Sequence, residues 1–360
     1  MEVSNQSAAT EEVRPPVTSV GVIGWAKANL FNSAFNSFLT VLILFGLYLA
    51  VPPFLNWAFL DSLWSSTGDE CKAIEGACWS VVTKNLRFML FGFYPWSEQW
   101  RPVISIGILI GLFYFSRDRR HWNRWLAYLW GVGILIMGVL MHGGILGLSV
   151  VETTQWSGIC LTLLLSLFGL TAAYPLGVVL ALGRRSRMPA IKSLCVVYIE
   201  LIRGVPLISL LFMSSVMFPL FLPEGITVNK ILRAQVAIIL FTAAYIAEVV
   251  RGGLQGIVRG QYEAAESLGL DYYLTMRLII LPQALKIVIP PSVGILISAF
   301  KDTSLVVIIG LFDLMKTTQV TLSNPEWMGF STEAFLFIAI LYFGGCFSMT
   351  NFSRDLERQL

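Results

Sequence analysis

Apolar residues run along this chain in long stretches that short polar and basic segments interrupt. The runs cover about 38–55, 103–115, 126–146, 158–182, 194–220, 231–250, 289–311 and 334–350. Most approach or exceed the roughly 20 residues that a helix needs to cross a bilayer. They lack two-residue alternation, which excludes a transmembrane barrel, and in lipid the remaining choice is the helix. The pattern therefore predicts an all-α polytopic membrane protein with about eight transmembrane helices. The run 103–115 is short for a crossing; Trp100 and Arg101 extend it, or it is partly re-entrant.

The polar segments divide the chain. Residues 1–37 form a tail with Pro15-Pro16, and its hydrophobicity rises too late for a cleaved signal peptide. Residues 38–150 hold three spans and a long polar loop, 56–101, which ends in the aromatic stretch FGFYPWSEQWRP (Phe91 to Pro102), suited to a membrane interface. Residues 151–360 hold five spans, with a polar loop at 254–288 between the sixth and seventh. In that loop the stretch Glu263 to Pro282 reads as a short helix, a stop at Gly269, a start at Asp271, a second short helix and a stop at Pro282.

Composition agrees with a membrane class: 56% of residues are hydrophobic and 13% charged, with mean hydropathy +0.72. A net charge of +3 carries no nucleic-acid footprint. Basic residues are unevenly placed. If the tails, the 116–125 and 183–193 loops and the Glu263 island share one side, that side holds sixteen Lys and Arg against seven opposite. The positive-inside rule makes it cytoplasmic, with both termini there.

Little points to catalysis. No Gly-Lys pair occurs, so the chain has no phosphate-binding loop of the Gly-Lys-Ser/Thr kind. His121 and His142 lie apart and suggest no metal site. Cys160, Cys195 and Cys346 sit in apolar runs as small hydrophobes. Cys71 and Cys78 share the 56–101 loop and could pair if it faces an oxidising space.

Charges inside apolar runs are costly and usually face a bundle interior or a water-filled path. Glu200 and Arg203, three apart, share a helix face and can pair; Gly204 and Pro206 then loosen the helix and free backbone groups that could line a cavity. Tyr245, Glu248 and Arg251 form a polar stripe at the inner end of the sixth span. Lys301, Asp302, Thr303 and Ser304 lie within the seventh span, where Lys301 and Asp302 would complement the carboxylate and ammonium of a zwitterionic solute. Each set also has a plainer reading: a structural ion pair near the interface, an interfacial stripe, and interhelical salt bridges.

The island is Glu263-Ala264-Ala265, three residues, Gly269, nine residues, Ile279, one residue, Leu281-Pro282. It resembles the EAA loop of binding-protein-dependent ABC importers at every fixed position. From Ser157 onward, ELIRGVPL (Glu200 to Leu207), YIAEVVRGG (Tyr245 to Gly253) and KDTSL (Lys301 to Leu305) resemble the polar amino-acid branch that contains the histidine and arginine permeases. Val205 departs from the branch, which more often has Thr there. The first 150 residues look like those of the longer M-type subunit of the general L-amino acid transporters.

The resemblance implies a five-helix type I ABC importer core after three extra N-terminal helices. It implies a bacterial inner-membrane permease with a second related permease, a dimer of ATPase subunits holding ATP and Mg, and a periplasmic amino-acid-binding protein. The solute would be an L-amino acid, and Glu263, Ala264, Ala265, Gly269, Leu281 and Pro282 would couple to the ATPase. An ion-coupled carrier using Lys301, Asp302 and Glu248 is the alternative, although no inverted repeat is visible; a non-transporting scaffold would gain little from the deep charges.

Overall fold

The computed structural model describes residues 21–145 and 147–359, so most of the 1–37 tail lies outside the described residues. The chain divides after Cys78 into two compact units, not at residue 150 as the spacing of apolar runs suggests. Residues 79–150 group with the five-span region because one of their helices is bonded into it.

The first unit contains α1 (Gly21–Asn29), α2 (Ala34–Leu55) and α3 (Gly68–Lys72). The helix α2 runs on through a wider π turn, Asn56–Leu60, despite Pro52 and Pro53 inside it. A loop then folds on itself: Leu63 donates to the Ala77 carbonyl, Ala77 donates to the Trp57 carbonyl, and a disulfide joins Cys71 to Cys78. Gly76 is required there, because a Cβ would sit 1.8 Å from the Asp61 carbonyl oxygen.

The second unit begins with α4 (Ser80–Phe91), α5 (Trp100–Ser116) and α6 (Arg124–His142). The loop expected at 56–101 thus contains α4. Its neighbour α5 starts at Trp100 and has 17 residues, about 25 Å of helix against a hydrocarbon core of about 30 Å. Arg101 is buried at its start, paired with Glu98 at 2.7 Å and donating to the Ser149 carbonyl at 2.7 Å.

Next come α7 (Gly158–Arg184), α8 (Pro189–Gly204), α9 (Leu207–Phe212), α10 (Lys230–Gly256), α11 (Arg259–Ser267), α12 (Tyr272–Leu274), α13 (Leu281–Asp302), α14 (Leu314–Leu322) and α15 (Ser331–Gln359). Among the described residues, six helical stretches are long and apolar enough to cross a membrane, and a bent pair makes up to seven; α5 is too short to be counted with them.

Three expectations change here. The fifth span is not one helix: α8 and the stretch from α9 to Phe221 meet at 104°. Val205 is extended, as the residue before a proline prefers, and Pro206 cannot donate, so helix hydrogen bonding stops between them. Pro282 is not a stop. It lies in the first turn of α13, directly after the π turn Thr275–Ile280, where a missing N–H is tolerated, and the helix runs on to Asp302. The charged C-terminal segment continues α15, and Arg117 beyond α5 holds Asp355 at 2.6 Å.

The centre of the unit is the parallel pair α7 and α10. Gly177 lets them touch: a Cβ would meet Ile246 at 2.6 Å. Close backbone approach over small residues is how helices pack where lipid offers no hydrophobic drive. The helix α13 runs back antiparallel along α10, with Gly253 seated against Val288 and Ala284. One core forms from Leu161, Leu165, Leu211, Ala234, Ile238 and Val306; a second forms near the opposite end from Ile199, Ile246, Val250, Ile280, Ala284 and Val288.

Candidate functional site

Three features occupy α10 and its surroundings: a cavity, a charge network one turn below it, and the polar helix α11.

The cavity holds about 380 Å³. It is lined by Phe241, Thr242 and Tyr245 of α10, by Ser298 and Asp302 of α13, and by Leu207 at the start of α9. The bend at Val205-Pro206 places Leu207 there, while Gly204 and Pro206 themselves do not line the cavity. Of the four-residue cluster in the seventh span, only Asp302 lines the cavity. Thr303 is buried and donates to the Phe300 carbonyl at 2.7 Å, Ser304 donates to the Lys301 carbonyl at 2.9 Å, and Lys301 is exposed. Neither Lys301 nor Asp302 forms an ion pair among the described residues, so the interhelical salt-bridge reading of that cluster is not realised.

The network has Glu248 at its centre. Arg184 approaches it at 3.3 Å from the end of α7 and Arg203 at 3.8 Å from α8, while Arg251 donates to it through Nε at 3.0 Å. Glu200 pairs with Arg184 at 3.0 Å. The expected Glu200–Arg203 pair is absent among the described residues. Each reaches across to another helix instead, because Arg184 and Glu248 offer opposite charges from α7 and α10. Arg203 also lies over the ring of Tyr245. The stripe Tyr245, Glu248, Arg251 thus joins the cavity to the network. Sequence reasoning missed Arg184, which reads as part of a basic loop; it also missed Thr242 and Ser298, whose only signal is a hydroxyl on the same helix face as Tyr245 or near Asp302.

The helix α11 ends in a Schellman motif. Gly269 has φ 73°, its N–H goes to the Glu266 carbonyl at 2.9 Å, and Leu270 N–H goes to the Ala265 carbonyl at 3.1 Å. Asp271 then caps α12, accepting from Leu274 N at 2.7 Å. Within the triplet, Ala265 is fully buried, whereas Glu263 and Ala264 are exposed. Glu263 pairs at 3.1 Å with Arg259, and both side chains are mostly in solvent, where such pairs contribute little. Leu268, Tyr272, Tyr273 and Leu278 add large exposed apolar groups. Leu281 packs against the second core and Pro282 is exposed.

The chain was compared with known proteins. Residues 173–360 match the family described as binding-protein-dependent transport system inner membrane component. The chain is 48% identical, over 93% of its length and 92% of the relative's, to the inner membrane amino-acid ABC transporter permease protein YhdY of Escherichia coli. It is 37% identical, over 98% and 97%, to the glutamate/glutamine/aspartate/asparagine transport system permease protein BztC of Rhodobacter capsulatus. Among solved structures, an amino acid ABC transporter with histidines matches with TM-score 0.50 and 30% identity, covering 56% of this chain and 92% of that one. The last match spans a shorter chain than this one, whereas the first two relatives align nearly end to end.

Proposed function

The chain belongs to the family of binding-protein-dependent transport system inner membrane components, and on that footing we propose that it is the permease subunit of an ATP-driven importer of L-amino acids. The observation that carries this is the stacking of three parts along α10: a cavity lined by a carboxylate with no ion pair among the described residues, a charge network beneath it, and a capped polar helix beyond its last turn.

The chain is a non-enzymatic membrane subunit, and a partner ATPase dimer, with its ATP and Mg, supplies the energy. Its exposed groups for that partner are Glu263, Ala264, Leu268, Tyr272 and Tyr273, with Gly269 setting the angle between α11 and α12. Both termini and α11 face the cytoplasm, in line with the excess of Lys and Arg on that side. The Cys71–Cys78 loop lies in the oxidising periplasm. A periplasmic amino-acid-binding protein delivers the solute, and a second related permease completes the path.

In the cavity Asp302 accepts the solute's ammonium group, and the Thr242 and Ser298 hydroxyls supply further polar contacts. Closure of the ATPase dimer displaces α11, and the helices around the cavity follow. Glu248 holds α7, α8 and α10 together at the cytoplasmic end, so opening that end requires its arginines to exchange partners.

The test is uptake by the chain reconstituted with its genomic neighbours, measured against ATP supply and against proton or sodium gradients. ATP-dependent uptake is expected. Uptake that follows a gradient and ignores ATP overturns the reading in favour of an ion-coupled carrier.

A further inference from the structure

Arg185 follows the last residue of α7, where the helix dipole favours a cation. Its Nη1 donates to the Tyr262 hydroxyl at 3.1 Å and to the Leu254 carbonyl at 3.1 Å. The Tyr262 hydroxyl in turn donates to the same Leu254 carbonyl at 3.4 Å. The guanidinium also lies 5.8 Å from the centroid of the Tyr262 ring. The three groups close a triangle between the end of α7, the last turn of α10 and the first turn of α11. Leu254 is buried, and its carbonyl is among the last four of α10, which have no partner within their own helix.

A second tie, independent of the first, joins Gln261 of α11 to Gln283 of α13 at 3.1 Å. One turn beyond both ties, on the same helix face, Ala265 is fully buried, so α11 is seated on its neighbours along that face.

We infer that Arg185 is the positioning residue that clamps α11 to the α7–α10 pair, so that displacement of α11 is delivered to the helices lining the cavity instead of being absorbed in the 257–258 connection. That connection is extended, with Ile257 and Val258 both at ψ above 120°, and offers no helical continuity between α10 and α11. A push on α11 would flex it unless the clamp holds. Arg185 suits the task because its planar guanidinium keeps its charge and can lie over a ring while donating to the carbonyl and the hydroxyl, whereas a lysine ammonium is a compact, strongly hydrated charge on a flexible stem. The inference rests on α11 being the element that the ATPase moves.

The experiment uses the complete transporter in liposomes and measures ATP hydrolysed and amino acid accumulated in the same vesicles. The variants are Arg185→Met, Arg185→Lys and Tyr262→Phe. The expected result for Arg185→Met is hydrolysis near the wild-type rate with ATP consumed per solute raised about tenfold, the factor set by losing a charge-assisted hydrogen-bond pair. Tyr262→Phe should shift the ratio in the same direction but less, because the bond from Arg185 to Leu254 survives, and Arg185→Lys should fall between. An unchanged ratio, or hydrolysis and uptake falling in proportion, overturns the inference. Should Arg185→Met fail to assemble, the ratio in Tyr262→Phe decides alone, since that change keeps ring and packing. Failure of the underlying reading looks different: wild-type uptake would then be indifferent to ATP.

Discussion

The guanidinium of Arg203 lies 5.5 Å from the ring centroid of Tyr245, and Tyr245 also lines the cavity. A solute that fills the cavity therefore touches a ring already engaged by the charge network. Tyr245→Phe keeps the ring and should retain most uptake, whereas Tyr245→Leu removes the cation–π contact, which is worth about 0.5–2 kcal/mol. The expected outcome is a several-fold higher KM for Leu than for Phe in uptake assays. Equal KM values would mean that the ring serves packing alone.

Glu248 meets three arginines, and its side chain is only 24% exposed. Glu248→Gln leaves those arginines clustered with Glu200 as the sole remaining acid of the network. Hydrogen bonds to a charged group contribute about 1.5–3 kcal/mol, so the purified protein should unfold several degrees lower. A melting temperature equal to wild type would show that the network is bridged by water rather than held by this carboxylate.

Gly269 tests backbone conformation cleanly, since a Cβ there would touch nothing within 4 Å. A β-branched residue must still adopt φ 73°, at about 1–2 kcal/mol. Gly269→Val should reduce uptake strongly and Gly269→Asn only mildly, because Asn tolerates the left-handed region. If both variants transport alike, the bend between α11 and α12 is not what uptake requires.

Much of this was legible in the sequence. Asp271 as a cap and Gly269 as a stop follow from residue type alone, and the apolar runs outline the spans because lipid leaves the backbone few options. Pro282 misled because a proline ends a helix and begins one with equal ease, and a π turn is written in no residue pattern. The partners of Glu200 and Arg203 were hidden for another reason. Spacing of three shows that two residues can meet, but the 104° bend and the parallel approach of α7 decided that each would meet something else. The helices α4 and α14 escaped notice because their polarity matches that of a loop.

Asp302 lines the cavity and has no ion-pair partner among the described residues. Asp302→Asn should raise the KM for uptake by about tenfold, as expected when a charged hydrogen-bonding partner is lost, with normal expression and melting temperature. A collapse in expression with unchanged KM in the surviving protein would assign it to folding instead.

Asp313 lies outside the long spans, fully buried, and caps α14 by accepting from Met315 N and Lys316 N. Burial pushes its carboxyl up to about 6, against a smaller lowering by those N–H groups and by Tyr342. A raised carboxyl favours the protonated folded state. Its contribution to stability is therefore full below about pH 4 and is lost as pH rises towards 6, a change of at most about 3 kcal/mol. Melting temperature should fall between pH 4 and 6 in the wild type, and Asp313→Asn should flatten that slope. An identical slope in the variant would remove Asp313 from the explanation.

The bonds of α4 bear on how such chains can be cut and recombined. Its last turn is stitched to distant sequence: the Met89 carbonyl accepts from Thr317 at 2.6 Å and the Phe91 carbonyl from Ser157 at 3.0 Å. Gly158 sits so close that a Cβ would lie 2.1 Å from the Leu90 carbonyl oxygen. A fragment starting at residue 151 would leave these hydroxyls and the apolar flank of α7 without their cover. Grafting the last 210 residues onto a shorter relative, or replacing them with one, would therefore transplant a surface built for a missing neighbour. The boundary between exchangeable modules in this protein falls after residue 78, not in the middle of the chain.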